Sequence, residues 1–293
     1  MLYLAVAIVC GTLYSVFFKL FACRGLDSLQ AIAFNYLTAL GLGLIVGVSE
    51  SGSVLPVGLA PWVAAVVLGA TFVGAFVMMA RSTVRCGVTL TTVASRVSLV
   101  LPVVCSYLLF PEGDVPRWGA IATILLALVL MFAPTNKDNK EEERTARRGR
   151  GAVAMVLYPL GVWVLFGVNN FGLKVAQTTL IAPQESAMFS AVIFAFAALF
   201  GVGALLIRDG GKLRVEPKSA LGGVALGVAN FFVTWGMLRG LAEVPASLFF
   251  PLYHTTIVAL VAVLGTVAFR ERLSAVQWAG VAVAAVGIVM FFV

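Results

Sequence analysis

The chain has 293 residues, 61% hydrophobic and only 11% charged, with a mean hydropathy of +1.04, a formal net charge of +7 and one histidine. That composition excludes a water-soluble globule, whose surface requires far more charge. The basic excess falls in short clusters between apolar runs, which suits loops facing anionic lipid and speaks against a nucleic-acid partner.

In chain order, the first apolar runs predict bilayer-spanning helices of about 20 residues near 2–22, 29–48, 60–80, 87–110 and 117–133. The first lacks a basic leader and outruns a signal peptide's hydrophobic stretch, so it is expected to stay in the mature protein. A charged run from Asn136 to Arg150 follows and reads as a solvated cytoplasmic linker, residues 134–150. Further spans are predicted near 151–173, 185–207, 219–239, 245–268 and 275–293. The runs do not alternate and are too long for barrel strands, whereas helices satisfy every backbone polar group within one segment.

The halves, 1–133 and 151–293, echo each other at an offset of roughly 155 to 161 positions. Lys19 matches Lys174, Glu112 matches Glu271, and Trp118-Gly119 resembles Trp278-Ala279-Gly280. Five helices per half place the second copy upside down, so the expected fold is all-α integral membrane, with ten transmembrane helices as two inverted repeats. Loops after the odd-numbered spans carry Arg24, Arg81, Arg85, the central basic run, Arg208, Lys212, Arg214, Lys218, Arg270 and Arg272. The other side has little beyond Arg117, Lys174 and Arg239. Lys and Arg are retained on the cytoplasmic side during insertion, so both termini are expected outside.

Polar residues inside apolar spans are the candidate site, because hydrocarbon penalises them unless they face a cavity or a partner. Arg96, mid-helix, offers a guanidinium fork to a carboxylate or phosphate, or else satisfies a neighbouring helix. Lys19 and Lys174 lie nearer helix ends, with a cavity role and snorkelling to headgroups both open. Asn35, Asn169, Asn170 and Asn230 line a cavity or join helices. Trp163 and Trp235 sit away from an interfacial belt, either lining a cavity or packing. Tyr253 and His254 follow Pro251, which frees a backbone carbonyl, and Pro102 is expected to bend the matching helix of the first half; both prolines are candidate breaks or gates. The acidic residues fall in loops or at helix ends, which disfavours a proton-for-cation antiporter and favours neutral, zwitterionic or anionic cargo. Gly43-xxx-Gly47 and Gly223-xxx-Gly227 have the spacing of close helix contacts, within the bundle or in a homodimer. Cys10, Cys23, Cys86 and Cys105 lack metal-ligand spacing, so no metal, disulfide or cofactor is expected.

Phe18-Lys19-Leu20-Phe21, Gln30, Asn35-Tyr36, Gly87-Val88 through Pro102, and Phe110-Pro111-Glu112 repeated as Phe269-Arg270-Glu271 give the whole chain a resemblance. It resembles the drug/metabolite transporter superfamily, in its ten-helix form with two EamA domains. The resemblance implies two inverted five-helix EamA-like repeats around a central cavity and alternating access. Members are commonly drawn with cytoplasmic termini; the charges here predict the reverse. The expected activity is secondary transport of a small hydrophilic metabolite across the cytoplasmic membrane, with small-molecule cargo and lipid bilayer as partners. A flippase for a lipid-linked substrate is the alternative. An integral-membrane enzyme is a remote third, for lack of a nucleophile, metal or phosphate-loop motif.

Overall fold

The structure, a computed structural model, describes residues 1–51, 58–86, 88–110, 117–131, 152–211, 215–268 and 274–290. Among them are eleven α-helices and no strand: α1 (Leu2–Arg24), α2 (Ser28–Ser51), α3 (Leu59–Cys86), α4 (Val88–Val97), α5 (Val100–Leu109), α6 (Trp118–Met131), α7 (Ala152–Val175), α8 (Ser186–Arg208), α9 (Pro217–Glu243), α10 (Ala246–Ala268) and α11 (Ala275–Val289). A π-turn, Ala176–Leu180, extends α7. Among the described residues, six helical segments are long and apolar enough to cross a membrane. Ile45, Leu59, Ile207 and Val267 expose more than two thirds of their surface, a cost that lipid removes. The protein is an integral, multi-pass membrane protein.

Local chemistry explains the boundaries. Gly25 ends α1 in the left-handed region at φ 62°, where a Cβ is disfavoured. Asp27 then caps α2, its Oδ1 accepting from the backbone N–H groups of Leu29 at 3.0 Å and Gln30 at 3.2 Å. Ser274 and Gln277 exchange reciprocal bonds at the start of α11, a capping box.

The span expected at 87–110 is two helices, α4 and α5, and Pro102 explains the break. Proline has no N–H to donate to Ser98 four residues earlier. The carbonyl of Ser98 instead accepts from Leu101 at 3.1 Å, and that of Arg96 from Leu99 at 3.3 Å. These are tight three-residue turns. Pro251 lies in the second turn of α10 without interrupting it, and Pro159 lies inside an unbroken α7.

The chain forms two compact units. The first is Met1–Val73 with Gly172–Val244, the second Gly74–Phe171 with Pro245–Val293. Each draws helices from both halves of the sequence. In the first, α2 packs between α8 and α9, and α9 also packs on α1. Tyr36, Phe189, Phe194 and Phe231 are fully buried there. Both glycine pairs make close approaches inside this unit. A Cβ on Gly227 would stand 2.5 Å from the Asn35 carbonyl oxygen and 2.6 Å from Thr38 Cβ, and one on Gly43 or Gly47 would stand 2.8 Å from Ala191 or 3.0 Å from Met188. At one end, Arg208 Nη2 pairs with Asp27 Oδ2 at 2.7 Å, and Ser219 Oγ donates to Glu216 at 2.7 Å while accepting from the Asp27 backbone at 2.9 Å. In the second unit, α6 packs on α11 and α4, and α10 on α5 and α6.

Candidate functional site

The second unit brings together five of the residues singled out from sequence. On α7, Asn169 and Asn170 are buried; on α10, Tyr253 and His254 are buried; on α4, Arg96 is half-buried. The Asn170 amide nitrogen lies 3.4 Å from His254 Nε2. The contact joins α7 to α10 through an amide and an imidazole, each of which carries both donor and acceptor capacity.

Aromatic rings hold the imidazole from two directions. Tyr253 meets it edge-on at 5.0 Å between centroids, and Phe250, one helical turn earlier, stacks at 6.5 Å. Phe249 stacks on Tyr253 at 6.0 Å. Arg96 lies within electrostatic reach of His254, two residues before the break that Pro102 creates.

Three buried polar atoms of this unit have no hydrogen-bond partner among the described residues: His254 Nδ1, Thr255 Oγ1 and Ser106 Oγ. Each unsatisfied buried donor or acceptor costs about 1–3 kcal/mol. Two of the three are on adjacent residues of α10, so that cost is concentrated in one turn beside Asn170.

The remaining candidates lie in the first unit. Asn35 on α2 is fully buried with neither amide atom partnered among the described residues, and Asn230 Nδ2 on α9 is likewise unmatched. Lys174 is only 5% exposed and donates to the Leu241 carbonyl at 3.5 Å. That carbonyl belongs to the last turn of α9, whose dipole favours a cation. The ammonium is therefore turned into the protein and away from headgroups. The side chain of Lys19 lies outside the described residues, as do Glu112, Glu271 and the central charged run.

Trp235 packs in an aromatic group with Tyr3, Phe231 and Phe232. Its Nε1 donates to Glu50 at 3.4 Å. Glu50 and Arg239, which sequence reasoning left aside, form an ion pair at 2.9 Å with both side chains largely shielded. The Arg239 guanidinium also lies 5.7 Å from the Tyr3 ring centroid, a cation–π contact. Sequence places Glu50 in a loop or at a helix end, since the apolar run stops near 48; α2 continues through Ser51 and carries Glu50 in its last turn, where the ion pair shields it. Opposite charges on the side of the chain otherwise poor in charge were the available signal.

Asp27, outside the apolar spans, lines an open cleft of about 410 Å³ with Gln30, Arg208 and Asp209. The hydrogen-bonded Arg208 guanidinium, helped by the N–H groups at the start of α2, holds the Asp27 carboxyl below the usual carboxylate range.

Residues 153–293 match the EamA-like transporter family. An uncharacterized protein of Haemophilus influenzae is 25% identical over 289 residues, covering 94% of this chain and 92% of that protein. A crystal structure superposes with a TM-score of 0.75 over 99% of this chain and 95% of its own, at 17% identity. That last likeness is one of fold alone.

Proposed function

We propose, from the match of residues 153–293 to the EamA-like transporter family, that the whole chain is a secondary transporter moving a small hydrophilic metabolite by alternating access. The family match carries the reading and implies a permease, with no chemical transformation of the cargo. The helix pattern supports extending it to the first half: α2, α3, α4 and α6 begin at residues 28, 59, 88 and 118, and α8, α9, α10 and α11 at 186, 217, 246 and 275. Such spacing is what an inverted duplication of five spans per half produces, with the α4–α5 pair corresponding to α10.

The cargo is neutral, zwitterionic or anionic. Buried Asn170, Tyr253 and His254, together with Arg96, supply donors and a positive charge, and no carboxylate lies in the middle of a described span to hold a cation. The membrane is the cytoplasmic one, with both termini outside, following the Lys and Arg distribution. A cysteine placed at exposed Lys218 should resist an impermeant maleimide in intact cells and react after lysis; labelling before lysis overturns the orientation.

Proteoliposomes loaded with a soluble metabolite extract test the reading. Saturable, protein-dependent exchange of soluble compounds, read by mass spectrometry, supports it. Movement confined to lipid-linked compounds, or none above empty vesicles, overturns it.

A further inference from the structure

Beyond cargo transport, we propose that the second unit binds an anionic phospholipid where α3 ends beside the start of α7, its phosphate held by Arg81 and Arg85 and its acyl chain laid on the exposed side of α7. Arg81 and Arg85 are four residues apart, so both project from one face of α3, with Cβ atoms about 5–6 Å apart. Both are exposed, whereas the neighbouring Ser82 and Cys86 turn inward at 0% and 3% exposure. No carboxylate among the described residues pairs with either guanidinium, the ion pairs there being those of Met1, Arg208 and Arg239. Like charges at this spacing repel, and an anion between them removes the repulsion. Arg85 is fixed over the Tyr158 ring on α7, 4.9 Å from its centroid.

Depth selects a lipid headgroup as the source of that anion. The apolar span of α3, Leu59–Met79, has 21 residues, about 31 Å of helix, which fills a hydrocarbon core of about 30 Å. Arg81 then stands about 3 Å past its edge and Arg85 about 9 Å, so the two guanidinium groups bracket a headgroup layer about 5–7 Å thick. The apolar span of α7 begins at Val156, which puts Tyr158 at the boundary where an apolar ring with a polar tip is favoured. Val156, Leu157 and Leu160 are 64%, 57% and 48% exposed, an apolar strip that runs on from the arginines. The two helices keep their register: Phe76 meets Phe166 edge-on at 6.5 Å, and a Cβ on Gly161 would stand 3.1 Å from Met78 Cε.

The chemistry of the headgroup follows from the pair. A guanidinium fork matches two phosphate oxygens through parallel N–H bonds. A zwitterionic headgroup brings an ammonium beside two guanidinium groups, whereas one carrying hydroxyls in its place adds acceptors without the repulsion. Tyr158 is a positioning residue, acting through Arg85.

Native mass spectrometry of the detergent-solubilised full-length protein, titrated with phosphatidylglycerol, phosphatidylcholine or inorganic phosphate, tests the site. Phosphatidylglycerol should bind at least tenfold more tightly than phosphatidylcholine, and excess inorganic phosphate should not displace it. Arg81→Gln and Arg85→Gln should each weaken binding about fivefold, and about 30-fold together, while the Arg81→Lys, Arg85→Lys pair should lose less. Tyr158→Leu should cost about two- to fivefold, and Tyr158→Phe should retain the parent's affinity. Lys218→Gln, which removes an exposed charge from the first unit, should change nothing.

Equal binding of the two lipids overturns the proposal, as does an arginine double variant that binds like the parent. A loss on Lys218→Gln equal to that on Arg85→Gln would make the effect one of diffuse charge, and displacement by inorganic phosphate would make the site a soluble-anion site; either result sinks the lipid assignment. The readout involves no cargo exchange, so its failure leaves the transporter reading standing.

Discussion

Glu50, one residue from the end of α2, holds the Arg239 guanidinium on α9 at 2.9 Å and accepts from Trp235 Nε1 on the same face. The pair ties together the last turns of two helices that are joined at their starts by the Asp27–Ser219 hydrogen bond and packed closely between. Removing one member strands the other in a shielded place, which for fully buried pairs costs about 3–5 kcal/mol and for this partly shielded one about 1–3 kcal/mol. Glu50→Gln and Arg239→Gln should each lower the melting temperature of the solubilised protein, and the exchanged pair Glu50→Arg with Arg239→Glu should recover part of the loss. Single variants that melt like the parent would remove the pair from any structural role.

Close approach of α2 and α9 makes a contrasting test with two glycines. Gly227→Ala places a methyl group against the Asn35 carbonyl and Thr38, so the helices must separate, at a cost of about 1–3 kcal/mol. Gly41→Ala meets nothing within 4 Å and removes a flexible residue from a helix interior, a gain of about 0.5–1 kcal/mol. Thermal melting of the two variants should move in opposite directions; equal shifts would contradict the packing.

The Asp27 carboxyl is held below its ordinary range by Arg208, and a lowered carboxyl stabilises only while ionised. Its contribution is complete above the unfolded value of about 3.9 and is lost as pH falls through the lower folded value. Asp27→Asn should therefore melt earlier than the parent at neutral pH, by an amount reduced by solvent screening. The gap should close below about pH 4. A gap that persists unchanged into acid would assign the effect to the helix cap instead of the ion pair.

Pro102→Ala offers the Ser98 carbonyl, which now accepts from Leu101, the four-residue donor that an α-helix requires, and should join α4 to α5. Regaining a helix hydrogen bond raises stability by about 1 kcal/mol, and realigning the turn after Arg96 should lower exchange activity. Higher melting with undiminished activity would show that the break has no part in the cargo path.

The helices were legible because lipid imposes a length and a composition on each span, and the ends of α2, α3 and α9 run past the expected bounds by three to six residues. Pro102 announced a bend, yet the separation into two helices depends on where Ser98 and Arg96 find donors. The glycine pairs gave their spacing in sequence but not their partners, since Gly43 and Gly47 meet α8 while Gly223 and Gly227 meet α2. Asn170 and His254 were each suspect as polar residues in apolar runs. Their bond joins positions 84 apart, and no local periodicity encodes such a pairing. Glu50 was missed because a carboxylate at the edge of an apolar run looks solvated until its helix is seen to continue past it.

Alternating access at the second unit's polar locus is tested most directly by a cysteine at Thr255, which is fully buried in this structure, in a chain whose four native cysteines are replaced by serine. In oriented proteoliposomes an impermeant maleimide should modify that cysteine from either side of the membrane, each in turn as the locus opens. A residue inert from both sides, or reactive from one side alone, would contradict the account.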